Sequence, residues 1–210
     1  MALTPAAAIE EIAGQASLHG LDLEPTEALR LLNEAHTDMC VRAQWTRARV
    51  ELGPTVADQY EYTLPETVAE VLAVYLDGLP LGQGDEEQVA VIGTDTYLRA
   101  RGIWYLADNA AGAQVVGIHP MPETGGSTLT ARCVVYPTEF AADGAFRVPP
   151  DYRRALINYV RYVSLGSSED DSSRSEYAAE YESEVERLRR HRITRAGRAG
   201  AKMRIRGVTA

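Results

Sequence analysis

Apolar residues recur at helical spacing at both ends of the chain and alternate with polar ones in between. Ala8, Ile9, Ile12, Ala13 and Ala16 fall three and four apart after Thr4-Pro5, a capping hydroxyl followed by Pro at the first helical position. Gly20 ends that element, and a second helix is predicted from Pro25 to about Trp45, with Ala28, Leu32, Ala35, Met39 and Ala43 on one stripe. Helix is predicted again from Pro150-Asp151, where Tyr152, Ala155, Leu156, Tyr159, Val160 and Val163 make a buried face. After the polar loop 166–173, Ser173 and Glu176 form a capping box for a fourth helix striped by Tyr177, Tyr181, Val185 and Leu188.

Between the helices the period falls to two. Tyr60, Tyr62 and Leu64 alternate with Gln59, Glu61 and Thr63 and are closed by Pro65, the mark of a half-buried strand. Residues 71–76 are apolar on both faces and run into Asp77-Gly78, a pair suited to the positive φ angles of a hairpin turn. Residues 88–92 read as a strand, 94–101 as a short helical turn, and 104–106 fits neither pattern cleanly. Residues 114–119 and 128–136 read as a strand pair across the turn-rich 120–127, with Leu129, Ala131, Cys133 and Val135 on one face of the second.

The predicted architecture is mainly α with a β insertion, an α+β protein. N- and C-terminal helix pairs (1–48 and 149–193) form a four-helix bundle, because their stripes cannot be buried singly. Residues 49–148 form the β-rich insertion, and 194–210, glycine-bearing and without an apolar stripe, form a flexible arm.

Charge sharpens the picture. The chain of 210 residues carries a formal charge of −9, yet 187–210 hold nine Arg or Lys and no acid, leaving 12 bases against 30 acids in the first 186 residues. Such asymmetry points to a terminal arm that meets a charged partner, either nucleic acid or an acidic protein groove. The arm has no aromatic residues to stack on bases, which disfavours single-stranded nucleic acid. Residues 1–11 lack the pattern of a signal peptide, and no apolar run reaches membrane-spanning length, so a cytoplasmic, non-membrane protein is expected.

Catalytic signatures are missing: no phosphate-binding Gly-rich loop, no paired zinc histidines, no nucleophile elbow. His36 and Cys40 stand four apart, but a closed zinc site needs about four ligands and no second pair is visible. Cys40 and Cys133 read as reduced core residues, and 82–87 (GQGDEE) as a solvated hairpin tip. His119, before Pro120, reads as a surface or half-buried strand-end residue. No enzyme activity, metal or cofactor is expected. The eleven tyrosines against two phenylalanines suit wet subunit interfaces as well as plain core packing, with Tyr60, Tyr62, Tyr152, Tyr159, Tyr177 and Tyr181 as interface candidates.

The order of elements resembles the head-to-tail adaptor (connector) proteins of tailed phages. The carrying segments are LRLLNEAHTDMC, YEYTLPETVAEVLAVYLDG, FRVPPDYRRALINYVRYVSL, the acidic GSSEDDSS and EYAAEYESEVERL, together spanning about residues 25–190. The resemblance implies a virion protein made in the host cytoplasm, with about twelve copies in a ring below the portal protein. The ring would hand over to a downstream tail or stopper protein, and DNA would pass its lumen without specific binding. It also implies that 194–210 docks on the portal through Arg195, Arg198, Lys202, Met203, Arg204, Ile205 and Arg206. The other reading of the same arm is a nucleic-acid-binding protein that tracks phosphates.

Overall fold

The computed structural model describes residues 3–18, 23–85, 102–164 and 171–204. Contacts divide the chain into two compact units, one of residues 1–46 with 136–210, the other of residues 47–135.

In the first unit, α1 (Pro5–Leu18) and α2 (Pro25–Arg42) are followed, after the second unit, by a 3-10 turn (Pro150–Tyr152), α3 (Arg153–Ser164) and α4 (Asp171–Arg204). The α2 stripe is fully buried at Ala28, Leu32, Ala35, Met39 and Ala43. It joins Ile12 of α1, Leu156 and Val160 of α3, and Tyr181, Val185 and Leu188 of α4 in one core. The C-terminus of α2 closes without glycine. Gln44 takes φ 50°, so its N–H reaches Val41 O (2.8 Å) and the Trp45 N–H reaches Cys40 O (2.8 Å), which satisfies two carbonyls left open by the last turn.

In the second unit, antiparallel pairing sets two four-stranded sheets facing each other. One has the order β1 (Arg47–Pro54), β8 (Thr128–Val135), β3 (Val68–Leu76), β4 (Leu79–Pro80). The other has the order β2 (Glu61–Thr63), β7 (Gln114–His119), β6 (Ile103–Asp108), β5 (Gly82–Gln83), with only β5–β6 parallel. Val71 and Val74 of β3 and Leu129, Ala131 and Cys133 of β8 meet Tyr62, Trp104, Val116 and Ile118 of the other sheet in a second core. Asp77 (φ 49°) and Gly78 (φ 79°) make the tight turn from β3 to β4, as the Asp-Gly pair requires.

The structure corrects the predicted fold class. The protein is mixed α+β, with four α-helices and two four-stranded sheets among the described residues, and not a mainly α protein built on a four-helix bundle of two helix pairs. Two physical reasons stand out. The β-rich segment is a unit in its own right, with two sheets and its own core, and not an appendage of the helices. Phe140, Phe146 and Val148, from a stretch outside any helix, are wedged into the helical core, where a closed bundle would have only helix stripes.

Local expectations are corrected as well. The basic end is not flexible coil from Thr194, because α4 stays helical to Arg204. Ser173 lies inside that helix, which begins two residues earlier at Asp171. Strands β7 and β8 do not pair with each other; 120–127 carries the chain from one sheet to the other. The 104–106 stretch is strand, within β6. The 88–92 strand and the 94–101 turn lie outside the described residues.

Candidate functional site

Helix α4 is the element on which a binding function can be built. Its 34 residues span about 51 Å at 1.5 Å per residue. Leu188 is the last of its residues in the core among those whose side chains are described. His191 follows, tilted against Trp45 and stacked on Tyr152, with its Nδ1 3.2 Å from the tyrosine hydroxyl. Beyond that, Ile193 is 56% exposed. The helix then carries Arg195, Arg198, Lys202, Met203 and Arg204 on its last turns, while Ile205 and Arg206 lie outside the described residues. Acids and bases are sorted along it. Glu182 pairs with Arg42, Glu184 with Arg187 and Glu186 with Arg190, and no acid follows.

The body that carries α4 is locked by polar side chains that sequence patterning does not reveal. Asn33 accepts from the Phe140 N–H and donates to the Phe140 carbonyl, both at 3.0 Å, and so clips the non-helical 136–149 stretch to α2. His36 Nε2 accepts the Arg147 N–H at 3.0 Å, and Trp45 Nε1 donates to the Arg147 carbonyl at 3.1 Å. Each is a single polar residue on or beside an apolar stripe, with no spacing signal of its own.

His36 is 1% exposed and packs edge-on against Phe140. Burial first, and the Arg147 charge second, push its pKa down from 6.5 to about 4. The unfolded chain therefore binds a proton that the folded one refuses. Stability from this group is complete above about pH 6.5 and is lost as pH falls towards 4, by on the order of 3 kcal/mol in all. Urea unfolding at pH 7.5 and pH 4.5 is expected to show that loss. A His36→Gln chain, whose amide can still accept from Arg147, should lack this component of the slope. An unchanged pH slope in the variant would contradict the assignment.

His36 and Cys40 do lie close, with Sγ 3.7 Å from Nε2, but that nitrogen already accepts from Arg147. Burial raises the Cys40 thiol to about 12 and that of Cys133 to about 11, so both are held protonated inside their own units. Among the described residues no three His, Cys, Asp or Glu side chains converge as a metal cluster would require, and no helix is long and apolar enough to cross a membrane. His119 is half-buried at the end of β7.

The six singled-out tyrosines differ in what they offer. Tyr62, Tyr152 and Tyr181 are buried within their own units. Tyr181 donates to Asp38 Oδ2 at 2.7 Å, and burial, then that carboxylate, raises its hydroxyl well above the usual phenol range. Tyr62 donates to the Gln59 carbonyl at 3.1 Å. Tyr159 and Tyr177 are partly exposed, the former donating to Glu34 at 2.8 Å and the latter lying under the Arg161 guanidinium. Tyr60 is 48% exposed. They fall in two sets, Tyr60 and Tyr62 in the second unit and the other four in the first.

The chain is acid-rich up to residue 186 and carries only bases along the last turns of α4, a split that suits contact with a charged partner. Comparison with protein families agrees: the family model described as SU10 adaptor protein matches residues 6–206, nearly the whole chain. The chain belongs to the SU10 adaptor protein family. Comparison with curated proteins gives no match. A member of this adaptor family is a structural component of a phage, and the match takes in both units together with α4 through Arg204.

Proposed function

We propose that this adaptor forms a ring of about twelve copies directly below the portal protein of a tailed phage, extending the DNA channel and joining the head to a downstream tail or stopper protein. Residues 194–210 act as the portal-docking segment of each copy, and the β-rich unit and the exposed tyrosines contribute to contacts between neighbours. What supports this reading most is that α4 runs on to Arg204 through a stretch, from Arg187, that carries bases and no acid and has no apolar stripe in its sequence. Bases with no acid among them in sequence suit an acidic partner surface. The acidic remainder of each copy would line the assembly with negative charge, which DNA passes without adhering.

The test is charge removal at the docking segment. Replacing Arg195, Arg198, Lys202, Arg204 and Arg206 by Gln is expected to weaken attachment to purified portal rings by at least about tenfold at low salt, and to flatten the dependence of attachment on ionic strength. Attachment with an unchanged salt dependence would contradict the reading. If the loss appears instead as release from DNA, with portal attachment intact, the segment tracks phosphates and is not a docking element.

A further inference from the structure

The unit of residues 47–135 is acidic, with twelve Asp or Glu against five Arg and no Lys. Three of those five arginines lie on two adjacent strands. Arg47 and Arg49 are two apart on β1 and so point to the same side of the sheet, and Arg49 sits directly opposite Arg132 on β8. The neighbouring residues Val50, Ala131 and Val74, in register with one another, turn to the core side, so the arginines occupy the face turned away from the sandwich core. All three are exposed.

Like charges placed directly opposite across two strands destabilise a sheet. The next residue in that row, Ala73 on β3, brings no carboxylate, while Glu51 of β1 and Glu70 of β3 share the face in the rows on either side. Among the described residues neither Arg49 nor Arg132 forms an ion pair. The Arg49 guanidinium instead lies over the Tyr75 ring, 5.2 Å from its centroid, in a cation–π contact. The arrangement keeps two guanidinium groups side by side at a fixed spacing with neither in an ion pair among the described residues, and a partner's carboxylate would engage them.

We infer that this arginine face is one side of the contact between neighbouring copies, and that it receives carboxylates from a second copy of the chain. The inference rests on the ring reading above and specifies its interface. In a ring the contact is heterologous, so a surface of one copy meets a different surface of the next. A two-fold contact through the same face would set arginine against arginine. With 30 acids per chain, the complementary surface comes from the chain itself, and a guanidinium fork matches a carboxylate with two parallel hydrogen bonds. DNA is the poorer occupant, because two or three arginines on a net-negative unit do not offset the repulsion of a phosphate backbone.

The full-length chain carrying Arg132→Glu separates interface from fold. In the isolated protein the substitution turns a repulsive cross-strand pair into an attractive one, so its thermal midpoint should equal or exceed that of the parent. Ring formation on purified portal, read as the mass of the complex, should fall by at least about tenfold in affinity between neighbours, while single copies still attach through residues 194–210. Arg132→Lys, which keeps the charge, should retain most of the ring. Rings of Arg132→Glu chains with unchanged salt resistance would overturn the inference and leave the ring reading standing. Intact rings together with lost retention on duplex DNA would overturn it in favour of a nucleic-acid face. If the parent chain forms no ring at all, the ring reading fails and this interface fails with it.

Discussion

A chain ending at residue 193 is expected to keep its folded stability and lose its hold on the portal. Among the described side chains the core residues of α4 are Tyr181, Val185 and Leu188, and His191 is held against Tyr152 and Trp45. All of these precede the cut. What the truncation removes is helix whose sequence carries no apolar stripe, plus the hydrogen bond of Thr194 Oγ1 to the Arg190 carbonyl. Surface changes of this kind shift stability by no more than about 0.5 kcal/mol, so the urea midpoint should hardly move. Attachment to portal should drop to background, since five of the nine bases in 187–210 lie beyond the cut. A truncated chain that still decorates portals would place the docking surface on the folded body. One that unfolds early would mean that the end of α4 belongs to the core.

The second large effect is expected at a glycine in the sheet. Gly117 on β7 stands directly opposite Tyr105 on β6. The tyrosine ring lies across the bare backbone, so that a Cβ added at 117 would sit 2.1 Å from the ring. No rotamer adjustment of a few tenths of an ångström absorbs that overlap. Gly117→Val should therefore force the 5% exposed Tyr105 out of its place and destabilise the protein by about 3 kcal/mol. The check is a urea titration of Gly117→Val, Tyr105→Ala and the double variant. The double should cost clearly less than the two singles together, because each change removes the other's conflict. Strict additivity would show that the ring and the glycine do not constrain each other.

Much of the helical unit is legible in the sequence because its stripes are long and regular. The α2 positions Ala28, Leu32, Ala35, Met39 and Ala43 are fully buried, and few backbone conformations besides the α-helix keep a 3.6-residue spacing over eighteen residues. The end of α4 is not legible in the same way, because a missing apolar stripe together with Gly197 and Gly200 favours coil. Helix propagation needs only one further hydrogen bond per residue, and Ala and Arg are strong helix formers, so a helix already nucleated and packed continues through two glycines.

Strand β1 escapes the sequence reading although Arg47, Arg49 and Glu51 alternate with Ala48, Val50 and Leu52. The pattern follows straight on a helix end and breaks at a bulge between Glu51 and Gly53 (φ 95°). The expected pairing of β7 with β8 fails for a different reason. Neighbouring strands in sequence usually pair, and nothing in 120–127 announces a crossing between sheets. Strands β1 and β8 hide the arginine pair, since Arg49 and Arg132 are 83 residues apart in sequence and meet only through register. The tyrosines show the limit of composition. Their hydroxyls can serve a neighbour or their own unit, and Asp38, Glu34 and His191 decide for the second at Tyr181, Tyr159 and Tyr152.

A cryo-EM reconstruction of the head-to-tail junction, from particles that carry this chain, bears most directly on the adaptor reading. The expected map has a ring of this fold immediately below the portal, with each α4 running past Leu188 into density of the portal's lower surface and the face of Arg49 and Arg132 against acidic side chains of the next copy. A map with the chain elsewhere in the particle, or with α4 ending in solvent while another surface touches the portal, would contradict it.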